Sequence, residues 1–223
     1  LRWITEQGEN VFSKVRAYDA MADRFLAAGE TEAAVRAAGQ GAYLAEAYRD
    51  ILPDGAYARA RQKEARVLLK AGRPDEAVAN VSKALSRADD PAAVRIELAD
   101  MLVSLAAAQA GEWRRYARQG IRVCDEILSD APDRPGVHAQ KAYLYLLLDE
   151  LAPAREEAYK EMKITPDSAS ALTTLGYTYL AEGAMPQARA FFSKALDLDP
   201  DFASARVGYE KCREDTKAFP ASP

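Results

Sequence analysis

Four cations, Arg59, Lys63, Arg66 and Lys70, recur at i, i+4, i+7 and i+11. On a helix of 3.6 residues per turn that spacing sets them on one face. Such a stripe suits an acidic segment or a terminal carboxylate, to which arginine offers paired hydrogen bonds. It equally suits ion pairs with adjacent helices, for which Asp19 and Asp23 on one side and Glu97 and Asp100 on the other are the mates to hand. Neither arrangement is catalytic. The remaining reactive side chains are sparse. His138 is the single histidine, which excludes a His-rich metal site and argues against a catalytic triad; it is read as partly buried with its ring hydrogen-bonded. Cys124 and Cys212 are the two cysteines, too few for a disulfide framework or a four-cysteine zinc site, and each reads as a small packing residue. The acidic pair Glu156 and Glu157 and the acids from Asp197 to Asp201 read as solvated charges. No Gly-rich phosphate loop, nucleophile elbow or HExxH helix is present. The chain is read as a non-enzyme with no cofactor and no metal, so its function belongs to surfaces.

Those surfaces must be carried by helices. Alanine supplies 46 of the 223 residues, against 11 prolines and 12 glycines. It has the best helix propensity, and its small side chain lets helices approach closely. No window alternates Val, Ile and Thr as a strand would. Hydrophobic residues at 49% suffice for a core, and no run of eighteen apolar residues reads as a membrane span. The 30 basic and 34 acidic residues leave a net charge of −4, which argues against a nucleic-acid role or an anionic-membrane binder.

A repeat organises the helices. Pro132, Pro166 and Pro200 are spaced by 34 residues. Small residues pair twelve apart at Ala22 and Ala34, Ala65 and Ala77, Ala142 and Ala154, and Gly176 and Ala188; Gly29, Gly72 and Gly183 each follow the first of a pair by seven. The clearest copy is LTTLGYTYLAEGAMPQARAFFSKALDLDP, Leu172 to Pro200, and a second is ARVLLKAGRPDEAVANVSKAL, Ala65 to Leu85. With Leu172, Leu175, Gly176, Tyr179, Gly183, Ala188, Phe192, Ala195 and Pro200 in register, the chain resembles the tetratricopeptide-repeat (TPR) family, and a bacterial member of it.

The resemblance implies an all-α fold, a right-handed α-solenoid of about five helix-turn-helix units, at 15–57, 58–91, 92–134, 135–168 and 169–202. A helical cap or linker is expected over 1–14, a capping helix over 203–217 and a tail over 218–223. Trp3, Ile4, Val11, Phe12 and Val15 are expected to cover the first unit, and Tyr179, Phe192 and Leu196 to fill the space between units. Units one and three are each 43 residues. The first is expected to lengthen its second helix to about Thr31–Leu52. The third is expected to project a hairpin tip near Glu112, with Trp113, Arg115 and Tyr116 as contact residues.

In this family the first helices of successive units line a concave groove that receives a peptide or a partner helix. The groove-facing positions of the second unit are Arg59, Lys63, Arg66 and Lys70. Those of the fourth and fifth include Tyr143, Leu147 and Tyr177, with Leu146 and Leu180 beside them. The resemblance therefore implies a scaffold or adaptor whose partner is a protein or peptide of acidic or amphipathic character. Two further readings stand beside it: a structural or self-associating module of a larger machine, and a regulatory appendage of an enzyme elsewhere in a longer parent. The start at Leu1 reads as a trimmed fragment, and the composition leaves the compartment open between bacterial cytoplasm and periplasm.

Overall fold

The computed structural model describes residues 2–218 except 54 and 110, with side chains described from 7 to 213. The expectations for the side chains of Trp3 and Ile4 and for the tail at 219–223 lie outside the described residues. Eleven helices and no strand are present among the described residues. They are α1 (Arg2–Ala27), α2 (Thr31–Ala47), α3 (Ala56–Lys70), α4 (Pro74–Leu85), α5 (Pro91–Ala107), α6 (Trp113–Asp130), α7 (Val137–Leu147), α8 (Leu151–Ile164), α9 (Ala169–Ala181), α10 (Met185–Leu198) and α11 (Ala203–Ala218).

Local sequence sets most helix ends. Helices α6, α8 and α10 each stop two residues before a proline, at Asp130, Ile164 and Leu198, because the residue ahead of proline is driven out of helical geometry. Gly29, Gly72 and Gly183 follow α1, α3 and α9 with φ of 76°, 70° and 76°. Each closes its helix the same way: the next residue's N–H reaches back five, as in Glu30 N to Phe25 O (2.8 Å), Arg73 N to Leu68 O (2.9 Å) and Ala184 N to Tyr179 O (2.9 Å). Helix α7 makes the identical closure, Glu150 N to Tyr145 O at 2.9 Å, with Asp149 at φ 64° in place of glycine. A side chain in that left-handed region costs about 1 kcal/mol. Asp149→Gly is therefore expected to stabilise the protein by about 0.5 kcal/mol, the strain relieved being partly offset by glycine's extra unfolded-state entropy. A rise in the urea midpoint at unchanged slope checks it.

The chain divides into two compact units, Leu1–Met101 and Leu102–Pro223. In the first, α1 packs on α2 and α3, and α3 on α4. Ala22, Ala34, Ala65 and Ala77 are fully buried. Val11 and Val15 are buried against Ala42, Ala45 and Ala60, so the apolar residues at the start belong to α1 itself and pack on α2 and α3. The second helix of the first hairpin does not extend to Leu52. It ends at Ala47, and residues 48–53 form a loop that folds back on α1: a Cβ on Gly8 would strike the carbonyl of Ile51. Pro53 forbids a helix through that point, and burying Leu52 beside Val11 and Val15 draws the loop inward.

In the second unit α7 packs on α8 and α9, and α9 on α10 and α11. Ala142, Ala154 and Ala188 are fully buried. Phe192 is 0% exposed and wedged between two glycines: a Cβ on Gly176 would lie 2.5 Å from its ring, and one on Gly208 would overlap it too. Tyr177 meets the Phe192 ring edge-on at 4.9 Å, and Tyr179 stacks on Phe191 at 5.4 Å. Helices α5 and α6 are 17 and 18 residues long, so the extra length of this hairpin lies in both helices. Cys124 and Cys212 are buried free thiols.

Candidate functional site

The α3 stripe is already neutralised within the first unit. Arg59 Nη1 lies 3.5 Å from Asp89 Oδ2, Lys63 Nζ pairs with Asp23 Oδ1, and Arg66 Nε lies 3.6 Å from Glu97 Oε1. Lys70 is exposed at the end of α3. The acids come from α1 and α5 and the segment before α5, so cations on α3 are bracketed by carboxylates on both sides. Asp19 sits on the α1 side with a buried Oδ1 that has no hydrogen-bond partner. Burial raises its carboxyl, Lys63 opposes that, Asp23 adds to it and Arg66 opposes it, leaving a net upward shift. An acidic ligand would have to displace these internal partners. A second basic row runs along α6: Arg114, Arg118 and Arg122 are all exposed at four-residue spacing.

Around the start of α6 the expected tip is only partly exposed. Trp113 is half-buried, with the Arg114 guanidinium 4.3 Å from its ring centroid. Arg115 is exposed, with its Nε 2.8 Å from Glu112 Oε2. Tyr116 does not project: it is 3% exposed, because the turn that follows Trp113 rotates position 116 onto the buried face shared by Ala117, Gly120 and Ile121.

A polar cluster lies on α7 and α8. Glu157, expected to be solvated, is 5% exposed, and Glu161 is 1% exposed. Glu157 Oε2 lies 2.6 Å from His138 Nδ1, and its Oε1 lies 3.2 Å from Lys141 Nζ and 3.0 Å from Lys160 Nζ. Burial pushes the Glu157 carboxyl up, but hydrogen bonds from His138, Lys160 and Lys141 outweigh it and hold it below its ordinary range. Glu161 accepts from the backbone N–H groups of Gly136 (2.8 Å) and Ala139 (3.3 Å), capping the start of α7. His138 Nε2 lies 3.2 Å from Pro132 O, so both ring nitrogens are engaged. These groups pair with one another and tie the α6–α7 turn to α8. Among the described residues no group of three His, Cys, Asp or Glu is placed to hold a metal, and no helix is long and apolar enough to cross a membrane.

The second unit holds an uncharged pocket. Tyr143 on α7 and Tyr177 on α9, 34 residues apart, line one pocket of about 240 Å³ together with Leu146, Ser170, Thr173, Thr174, Phe202 and Ser204. Leu147 is half-buried and is not part of the lining. The Tyr177 hydroxyl donates to Ser204 O at 2.9 Å, tying α9 to the first turn of α11. Burial raises the phenols of both Tyr143 and Tyr177. Thr173 and Thr174 are 4% and 2% exposed, and Thr173 Oγ1 has no hydrogen-bond partner. The sequence reading found the two tyrosines but missed Ser170, Thr173 and Thr174. Their signal was available in the seven-, four- and three-residue offsets from Tyr177, which place them on its helix face.

Known proteins can be set beside this geometry. Residues 169–202 match the sequence profile of the tetratricopeptide repeat. Over 156 residues the chain is 31% identical to the TPR repeat-containing protein PA4667 of Pseudomonas aeruginosa, covering 69% of this chain; it spans only 25% of that protein's length. Among solved structures, TTC0263, a TPR protein of Thermus thermophilus, superposes with a TM-score of 0.56 at 21% identity, covering 90% of this chain and 99% of the other. YrrB, described as a TPR protein with an unusual peptide-binding site, gives 0.58 at 18% identity over 93% and 97%. A tetratricopeptide repeat protein from Parabacteroides merdae gives 0.68 at 12% identity over 92% and 74%. At those identities the structural likenesses establish the fold. The repeat profile on the α9–α10 hairpin, the bacterial relative and these helical neighbours agree: residues 169–202 form a tetratricopeptide repeat, and the chain is similar in sequence and fold to bacterial tetratricopeptide-repeat proteins.

Proposed function

We propose that the chain is a non-catalytic scaffold that binds a peptide segment of a partner protein along α7, α9 and α11. The observation that carries this reading is the pocket shared by Tyr143 and Tyr177, with Phe202 just ahead of α11 and Ser204 in its first turn. Rigid aromatic side chains lose little entropy on binding and are typical anchors of peptide recognition. The stripe of Arg59, Lys63, Arg66 and Lys70 is a secondary contact, since three of its four cations are engaged within the fold. Random peptides displayed on phage and selected on the whole chain test the reading. Selected ligands are expected to lose tenfold or more in affinity with Tyr143→Ala at unchanged far-UV circular dichroism, and Arg66→Ala is expected to change them less than threefold. Ligands indifferent to Tyr143→Ala would defeat the proposal.

A specific observation favours a second reading, a self-associating module. On the first unit Met21, Tyr43 and Tyr48 are 43%, 66% and 46% exposed, and Met21 lines an apolar hollow of about 550 Å³ with Tyr18 and Leu44. Concentration-dependent sedimentation of the whole chain separates this reading from the first.

A further inference from the structure

We propose that the outer side of the first hairpin, the face of α1 and α2 turned away from α3, is the surface through which two copies of this chain pair back to back. The inference deepens the self-association reading above and names the surface it uses. Met21 and Leu44 line an apolar hollow of about 550 Å³ together with Ala17, Tyr18 and Lys14. Met21 lies two residues from Asp23, whose carboxylate pairs with Lys63 of α3, and Leu44 lies two residues from Glu46, which pairs with Arg61 of α3. Two residues turn a helix by about 200°, so the acids face α3 and the apolar residues face the opposite way. Tyr48, one turn on from Leu44, is 46% exposed, and Met21 is 43% exposed. Lys14 is the one charged side chain in the lining, and its apolar stem lets the ammonium reach water from the edge of a covered face.

The repeat shows what such a face meets elsewhere in the chain. In the α9–α10 hairpin the residues five and one before the crossing residue Gly176 are Ala171 and Leu175. Both are 0% exposed, in one cluster with Ala139, Ala142 and Ala158 of the preceding hairpin. Five residues before Ala65 on α3 stands Ala60, buried against Val11, Val15, Ala42 and Ala45 of α1 and α2. The same slots ahead of Ala22 on α1 are Ala17 and Met21, and both are exposed. A helix pair fits there. The terminal unit of a hairpin stack needs a polar outer face, and this one is apolar. A hairpin of the same polypeptide is poorly placed to cover it. Helix α1 runs twenty residues ahead of Ala22, whereas α3, α7 and α9 begin within nine residues of Ala65, Ala142 and Gly176. A helix of 14 residues, the length of α8 and α10, turning back from Arg2 would end short of Tyr18 and Met21. A second copy has no such tether. Related by a twofold axis, it presents the same apolar face, and each hollow is covered by the other copy's hairpin.

Sedimentation equilibrium of the whole chain tests the proposal. The wild type is expected to pass from monomer to dimer across the micromolar range. Met21→Glu is expected to weaken the dimer about tenfold or more, because two carboxylates would be buried in an apolar seam. Ala17→Arg, at an exposed position of the same face, is expected to act alike. Val207→Glu, 53% exposed in the second unit, is expected to leave the dimer unchanged. Far-UV circular dichroism and melting at the lowest concentration establish that each variant is folded. A wild type that stays monomeric at every concentration overturns the proposal and the self-association reading together. A dimer that survives both Met21→Glu and Ala17→Arg overturns the proposal alone, since self-association then uses another face. Growth beyond two copies also overturns the back-to-back arrangement, because a twofold contact closes at the dimer.

Discussion

Gly176→Leu is expected to destabilise the second unit by about 3 kcal/mol or more, the upper range for overpacking a core. Even the Cβ of a substituted residue would sit 2.5, 2.7 and 2.9 Å from three atoms of the Phe192 ring. That ring has no retreat, because Gly208 of α11 closes its other side and it is fully buried. The crowding must therefore be relieved by separating α9 from α10 or α11. In a repeat fold, where each hairpin contacts only its neighbours, the loss concentrates at the α9–α11 end. A melting temperature lowered by about 10 °C, with hydrogen-exchange protection lost first in α9, α10 and α11, is the expected result. An unchanged melting temperature would show that α9 and α10 do not cross at Gly176. Because Tyr177 and Thr173 ride on the same helix, the peptide site is expected to be lost with it.

Glu157→Gln is expected to cost about 3 kcal/mol, for a different reason. The carboxylate is buried among His138, Lys141 and Lys160, and neutralising it leaves the two ammonium groups facing an amide that can accept on one side only. The glutamine fills the same volume, so packing is not the cause. The pH dependence separates the two. The folded carboxyl lies below its unfolded value of about 4.5, so its contribution is present in full above that pH and is lost as the pH falls through the folded value. Wild-type stability should therefore decline on acidification below about pH 4.5, and Glu157→Gln should remove part of that decline while lowering stability at neutral pH. A variant with wild-type stability at pH 7 would mean that the cluster adds nothing to the fold.

Helix endings were legible because they follow from backbone rules of short range. Pro132, Pro166 and Pro200 each end a helix two residues earlier, and Gly29, Gly72 and Gly183 each take a positive φ. The small pairs were legible because two backbones can approach closely only where side chains are short, and Ala142, Ala154 and Ala188 are indeed fully buried. The end of α2 was not: Pro53 shows only that a helix cannot pass it, whereas the stop at Ala47 depends on a loop meeting Gly8 about forty residues back in the chain.

By itself, then, the sequence determined the all-helical class, the tetratricopeptide repeat and most of the turns between helices. Periodicity and φ preferences are local, and each can be read within about a dozen residues. Only the tertiary structure decided what each helix face meets. It paired Lys63 with Asp23 and Arg66 with Glu97, turned Tyr116 inward, buried Glu157 beside His138, Lys141 and Lys160, and left Thr173 without a partner beside Tyr143 and Tyr177. Whether a charge is satisfied or a hydroxyl is left over depends on atoms from other helices, and one helix's periodicity carries no record of which side chain stands opposite.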